Sequence, residues 1–166
     1  MWQALLKGDH LLEVIQHGTE LGVARFIPLA TARSVVLPEG KNKRERWQRL
    51  ATESAKQSRR RGVMRIEELT KVDSAIRQAA GTRAMALSTA PDAKPILAAL
   101  ADPPSDVALV ALFIGPEGGW TDDELSLFQQ HDVKPVKLTE TILRVETAAL
   151  VAAAVISVAS NPKSPI

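Results

Sequence analysis

A chain of 166 residues, 45% hydrophobic and 24% charged, fits one globular domain with a proper core. The absence of cysteine excludes disulfide frameworks and thiolate zinc sites and is compatible with a reducing compartment, so the cytoplasm is the expected location. The formal charge of +2 is unevenly spread: residues 41–65 carry ten Lys and Arg against Glu45 and Glu53, which leaves the rest of the chain net negative by six.

Residues 2–6 predict a short first strand. Asp9 can cap a helix whose apolar residues Leu11, Leu12, Ile15 and Leu21 recur at helical spacing before Gly22 stops it. A second strand is expected over 25–29. Residues 41–61 read as a helix, with Trp47, Leu50, Ala51, Ser54 and Ser58 on one face and Arg49, Lys56 and Arg60 on the other. A short strand near 64–66, a helix over 72–80, a strand over 84–88 and a helix over 96–100 follow. Asp106 opens the strongest strand, 107–114, which is apolar at nearly every position and so belongs at the centre of a sheet, buried on both faces. Thr121 and Glu124 have capping-box spacing and predict a helix to about Gln130. A last strand over 133–138 and an Ala- and Val-rich helix over 146–160 complete the pattern, with only 161–166 expected to fray. The final helix is apolar on most sides, which predicts burial or a subunit interface.

Strands alternating with helices predict an α/β domain with a largely parallel sheet. The longest apolar stretch, 148–159, is shorter than the ~20 residues that span a bilayer, and the first residues lack the order of a secretory signal. His10, His17 and His131 show no metal-ligand spacing, so no metal is expected.

Two segments carry chemistry. Gly115, Pro116, Glu117, Gly118 and Gly119 follow the central strand at its carboxyl end, where ligands bind in open α/β sheets. Their glycines let backbone groups approach a ligand unobstructed, and the pattern is neither a P-loop nor a dinucleotide fingerprint; a purely structural turn is the alternative. The second segment, 138–148, follows the last strand. Arg144 there sits beside a positive helix end, which is electrostatically unfavourable unless the arginine binds an anion or polarised oxygen, or pairs with Glu117, Glu140 or Glu146. Glu146 and Thr147 can cap the helix. The basic segment suits a polyanion, because phosphates reward clustered cations through counterion release; a solvated helix face is the alternative.

Several groups of residues, in order along essentially the whole chain, resemble the bacterial 16S ribosomal RNA uracil-N3 methyltransferase family (RsmE). They are Glu20-Leu21-Gly22-Val23, Thr31 with Arg33-Ser34, Glu53 with Gln57-Ser58 and Arg60, Ile114 through Gly119, and Ile142-Leu143-Arg144 with Glu146-Thr147-Ala148. The resemblance implies a SPOUT-type α/β knot over 1–166, with a C-terminal trefoil knot, a homodimer, and S-adenosyl-L-methionine held in the knot. It implies cofactor contacts from Leu87, Ile114, Gly115, Pro116, Glu117, Gly118, Gly119, Leu138, Thr139, Ile142 and Leu143. Arg144 is expected to stabilise charge on the uracil carbonyls, with Glu146 a base or an orienter of Arg144. Arg49, Lys56, Gln57 and Arg60 are expected to contact ribosomal RNA or the small subunit, while Glu20 and Arg33 read as structural.

The chain departs from the family pattern at His17, Met64, Thr139, Thr141 and Val145, where Lys, Pro, Gly, Arg and Thr are usual, and it begins where the methyltransferase domain begins, without the usual N-terminal PUA-like domain. A SPOUT methyltransferase for another RNA, or an RNA-binding module with a degenerate site, are the other readings.

Overall fold

The computed structural model describes residues 1–6, 10–34, 41–101 and 109–160. Among them, eight strands form one parallel sheet in the order β3-β2-β1-β7-β5-β8-β6, with β4 also on β2. The strands are β1 (Trp2–Ala4), β2 (Arg25–Ala30), β3 (Arg65–Ile66), β4 (Thr70–Lys71), β5 (Arg83–Leu87), β6 (Lys94–Pro95), β7 (Val110–Ile114) and β8 (Lys134–Lys137). The helices are α1 (His10–Glu20), α2 (Lys41–Gln57), α3 (Val72–Gln78), α4 (Ile96–Ala101), α5 (Asp122–Gln130) and α6 (Val145–Ala159). The expected cap Asp9, the opening of the central strand at 106–108 and the tail 161–166 lie outside the described residues.

β7 is central as its composition predicts but starts at Val110, so Leu109, expected inside a buried strand, precedes it and is 65% exposed; within β7, alternation divides the side chains between two cores. Leu112 and Ile114 join Leu11, Ile15, Phe26, Ala51 and Ala149 beneath α1, α2, α4 and α6. Ala111 and Phe113 join Trp2, Ile27, Val72, Ile76 and Phe128 beneath α3 and α5. Phe113 stacks on Trp2 at 4.9 Å and leans on Phe128 at 5.2 Å, and Phe128 meets the edge of Trp120 at 4.8 Å. This aromatic ladder runs from the sheet centre to the loop after β7. Each such pair adds about 0.5–1.5 kcal/mol beyond the area it buries.

Local chemistry sets the helix ends. Gly22 stops α1 at φ +93°, with Val23 N–H donating to Gly18 O at 2.9 Å. Thr121 and Glu124 form the expected capping box on α5. α2 ends four residues before the expected Arg61: Arg59 takes φ +53° and Arg60 N–H donates to Ala55 O, a helix stop of the glycine type made by an arginine. The final helix departs from one of its two expectations, burial within its own chain. Only Ala149, Ala152 and Ala153 of α6 are buried within the chain, and Val158 is 71% exposed. β4 and β6 are two-residue pairings without a sequence signature.

The stop at Arg59 corrects the reading of Arg60 as an outward RNA contact. Its guanidinium turns back onto the carboxyl end of α1, donating to Thr19 O at 2.9 Å, Val23 O at 2.8 Å and Gly22 O at 3.2 Å, and burial draws its pKa below the ordinary arginine value. A cation there satisfies carbonyls that the helix leaves open and complements its dipole. Arg60→Ala is expected to destabilise the fold by about 1.5–3 kcal/mol, the scale of hydrogen bonds to a charged group. Lysine should restore less than half, because it lacks the planar fork. Urea denaturation measures both.

Candidate active site at the strand carboxyl ends

Strand register builds the site. Ala86 pairs with Phe113 and Leu87 with Val136, which sets Leu87, Ile114 and Val136 level at the carboxyl ends of three adjacent strands. The chain leaves the sheet at this level into the loops 88–93, 115–121 and 138–144. Ser88 N–H donates to Val136 O at 2.9 Å, so the β5 and β8 exits stay joined one residue beyond the ladder.

The glycine loop is tight for identifiable reasons. A Cβ on Gly115 would lie 3.0 Å from the Trp120 ring, and one on Gly118 would lie 3.2 Å from Arg33 Cδ. Gly119 takes φ +71° and donates its N–H to Pro116 O at 2.9 Å. Trp120 folds beneath the loop and donates Nε1–H to Leu87 O at 3.0 Å, which ties the β7 exit to the β5 exit. The expected role of residues 115–119 carries no hint of this indole, although an aromatic directly after a glycine run is the signal that marks it. Pro116 is buried, while Glu117 and Gly118 are exposed.

On the β8 side, Leu138 and Leu87 pack half-buried against the core beneath α6, and Leu143 is half-buried. Ile142 is 83% exposed. Thr139 donates its hydroxyl to Thr141 O at 2.6 Å and has no positive φ, so the backbone here accepts a side chain where the family pattern has glycine. The three exits thus bring backbone groups, three leucines and an isoleucine to one end of the sheet.

Arg144 is the N-cap residue of α6 with no side-chain cap, so neither Glu146 nor Thr147 caps the helix. Arg144 is exposed, and its guanidinium makes no hydrogen bond or ion pair among the described residues, although its carbonyl accepts Ala148 N–H at 2.8 Å. The pairings that would make it structural are absent: Glu140 holds Lys137 at 3.0 Å, and Glu146, half-buried in the first turn of α6, has His10 Nδ1 at 3.9 Å. A free guanidinium at a positive helix end is a cation in want of an anion.

The basic surface lies on α2, the turn that follows it and edge strand β3. Arg46, Arg49, Arg59, Arg61 and Arg65 are exposed and have no ion pair among the described residues, whereas Lys56 pairs with Glu53 at 2.9 Å and Arg44 with Glu68 at 2.8 Å. Gln57 is exposed at the end of the helix. Gln48, on the buried side, accepts from Ile66 N–H at 3.2 Å and donates to Met64 O at 3.1 Å, which occupies the open edge of β3. Among the described residues no cluster of three or more His, Cys, Asp or Glu could hold a metal, and no helix is long and apolar enough to cross a membrane.

The family described as RNA methyltransferase domain matches residues 1–157. Ribosomal RNA small subunit methyltransferase E of Synechocystis is 39% identical over 93% of this chain and 51% of that protein, and its Bacillus subtilis counterpart is 36% identical over 92% and 62%. A Legionella pneumophila methyltransferase solved with bound SAM superposes with a TM-score of 0.84 at 32% identity, covering 95% of this chain and 64% of that one. The small subunit methyltransferase E of Neisseria gonorrhoeae, bound to S-adenosyl methionine, gives 0.83 at 27% identity over 93% and 63%. The chain spans about half to two thirds of the length of these relatives. With its fold and nearly its whole length matched, the chain belongs to the RNA methyltransferase domain family.

Proposed function

We propose that the chain is the catalytic domain of an S-adenosylmethionine-dependent ribosomal RNA methyltransferase that acts on N3 of a uridine in 16S RNA, in the cytoplasm. The observation that carries this reading is an arginine with an unpaired side chain among the described residues, at the start of α6 beyond the β8 exit, in a sheet whose central strand opens at the same end into a braced glycine loop. The relatives of Synechocystis and Bacillus subtilis and the two cofactor-bound neighbours support it.

The residues fit the cofactor. Gly115 and Gly118 carry Trp120 and Arg33 where a Cβ would lie, Gly118 stays exposed, and Leu87, Leu138, Ile142 and Leu143 offer apolar surface for a purine. Residues 114–119 and Thr139 would supply the backbone contacts. When bound, S-adenosylmethionine supplies an electrophilic methyl group on a sulfonium. The chain's own work is to hold the uracil in line, exclude water and stabilise the negative charge that develops as N3 loses its proton. Arg144 takes the charge-stabilising role at a uracil carbonyl. Glu146, two residues on, orients Arg144 or receives the proton. Arg49, Lys56 and Gln57 engage RNA phosphates and edges together with the unpaired cations of α2 and β3. A homodimer with a C-terminal trefoil knot completes the proposal, supported by the outward apolar side of α6 at Val158.

Calorimetry with S-adenosylmethionine and its demethylated product, in the presence of a chelator, tests the cofactor half of the proposal. Binding of both, unchanged by the chelator, is expected, because the cradle is built from backbone and apolar groups. Absence of heat and of competition at millimolar ligand would overturn it.

A further inference from the structure

The turn after β2, residues 31–34, is fastened to the glycine loop from a distance of 85 residues in sequence. Arg33 Nη1 donates to Gly118 O at 2.6 Å and reaches Trp120 O at 3.4 Å. The buried Glu124 carboxylate clamps the same junction, accepting Ala32 N–H on one oxygen and Thr121 N–H on the other, each at 2.9 Å. The turn is itself closed by Ser34 Oγ, which accepts Thr31 N–H at 3.2 Å and lies 2.7 Å from Thr31 Oγ1. Arg33 therefore extends from a braced base.

The loop tip needs such a brace. Gly118 and Gly119 have no side chains to hold them and lose more backbone freedom on ordering than any other residue type. The peptide joining them is pinned at both ends: Arg33 holds its carbonyl, and Pro116 O receives its N–H at 2.9 Å. Because a peptide is planar, fixing the carbonyl fixes the direction of the N–H as well. The Arg33 stem also lies on Gly118, where a Cβ would sit a tight 3.2 Å from its Cδ.

We infer that Arg33 is a positioning residue for the cofactor loop, acting through the Gly118–Gly119 peptide rather than on the reacting base. The inference rests on the proposed reading of the loop as the S-adenosylmethionine cradle. Arg33→Met keeps the apolar stem and removes the donor. It is expected to weaken S-adenosylmethionine binding in calorimetry roughly tenfold, the scale of one charge-assisted hydrogen bond. The same loss should appear in KM for the cofactor, with kcat within about twofold of wild type. Arg33→Lys should recover part of the affinity, since an ammonium can reach one carbonyl. In the ligand-free protein, amide exchange at Gly119 should accelerate in Arg33→Met and not in a control such as Arg77→Met on α3, whose side chain bonds only Asp73 and Ser74. Wild-type protein that binds no S-adenosylmethionine overturns the reading of the site and this inference with it. Wild type that binds, with Arg33→Met unaltered in affinity and in Gly119 exchange, overturns the inference alone, as does a loss confined to kcat.

Discussion

Arg144→Ala is expected to lower single-turnover methyl transfer by roughly 10²–10³-fold, the loss seen when one oxyanion-stabilising donor is removed. S-adenosylmethionine affinity should stay near wild type. The reason is geometric. Arg144 accepts Ala148 N–H on its carbonyl at 2.8 Å as the N-cap of α6, while its guanidinium makes no hydrogen bond or ion pair among the described residues, and it follows the loop 138–143 at the β8 exit. A group that holds nothing together in the free protein contributes when charge appears nearby, so its removal should fall on kcat rather than on cofactor binding. Lysine should restore only part of the rate, since it cannot engage a carbonyl and a neighbouring carboxylate together. A wild-type rate in Arg144→Ala, or abolished cofactor binding, would assign the residue a different role.

Reversing Arg46, Arg49 and Arg59 to Glu is expected to weaken RNA binding on the order of a hundredfold near physiological salt. The dependence of log affinity on log salt should flatten by about 2–3, at ~0.7–0.9 for each phosphate no longer neutralised. These three are exposed and without ion pairs among the described residues. Lys56 is a weaker choice because Glu53 already shares its charge, although an exposed pair of this kind holds by less than about 1 kcal/mol. Arg60→Ala serves as the contrast, since it should lower stability and leave the salt slope alone. Filter binding across a salt series separates the two. An unchanged slope in the triple variant would make α2 a solvated face.

Features encoded within a few residues are legible in the sequence. The capping box of Thr121 and Glu124 and the stop at Gly22 depend on local spacing and stand where it puts them, and the two-sided burial of β7 holds from Ala111 to Ile114 but not at Leu109. Arg60 departs from its expected face because that face follows from continuing the helical phase past Gln57, and a positive φ at Arg59 breaks the phase. The burial expected of α6 follows from composition, which does not say how many sides of a helix its own chain covers. The braces of the candidate site are out of reach for another reason. Arg33 to Gly118, Ala32 to Glu124 and Trp120 to Leu87 join residues 85, 92 and 33 positions apart, and only strand order brings them together. The glycines signal that something passes close to the backbone at 115 and 118; the structure shows an indole and an arginine stem on one side of it.

The most direct test of the central proposal is nucleoside mass spectrometry of small-subunit ribosomal RNA from cells with and without the gene for this chain. The proposal predicts that one base-methylated uridine, 3-methyluridine, disappears with the gene, returns when the wild-type gene is restored, and stays absent when the restored gene carries Arg144→Ala. An identical set of modified nucleosides with and without the gene would contradict it.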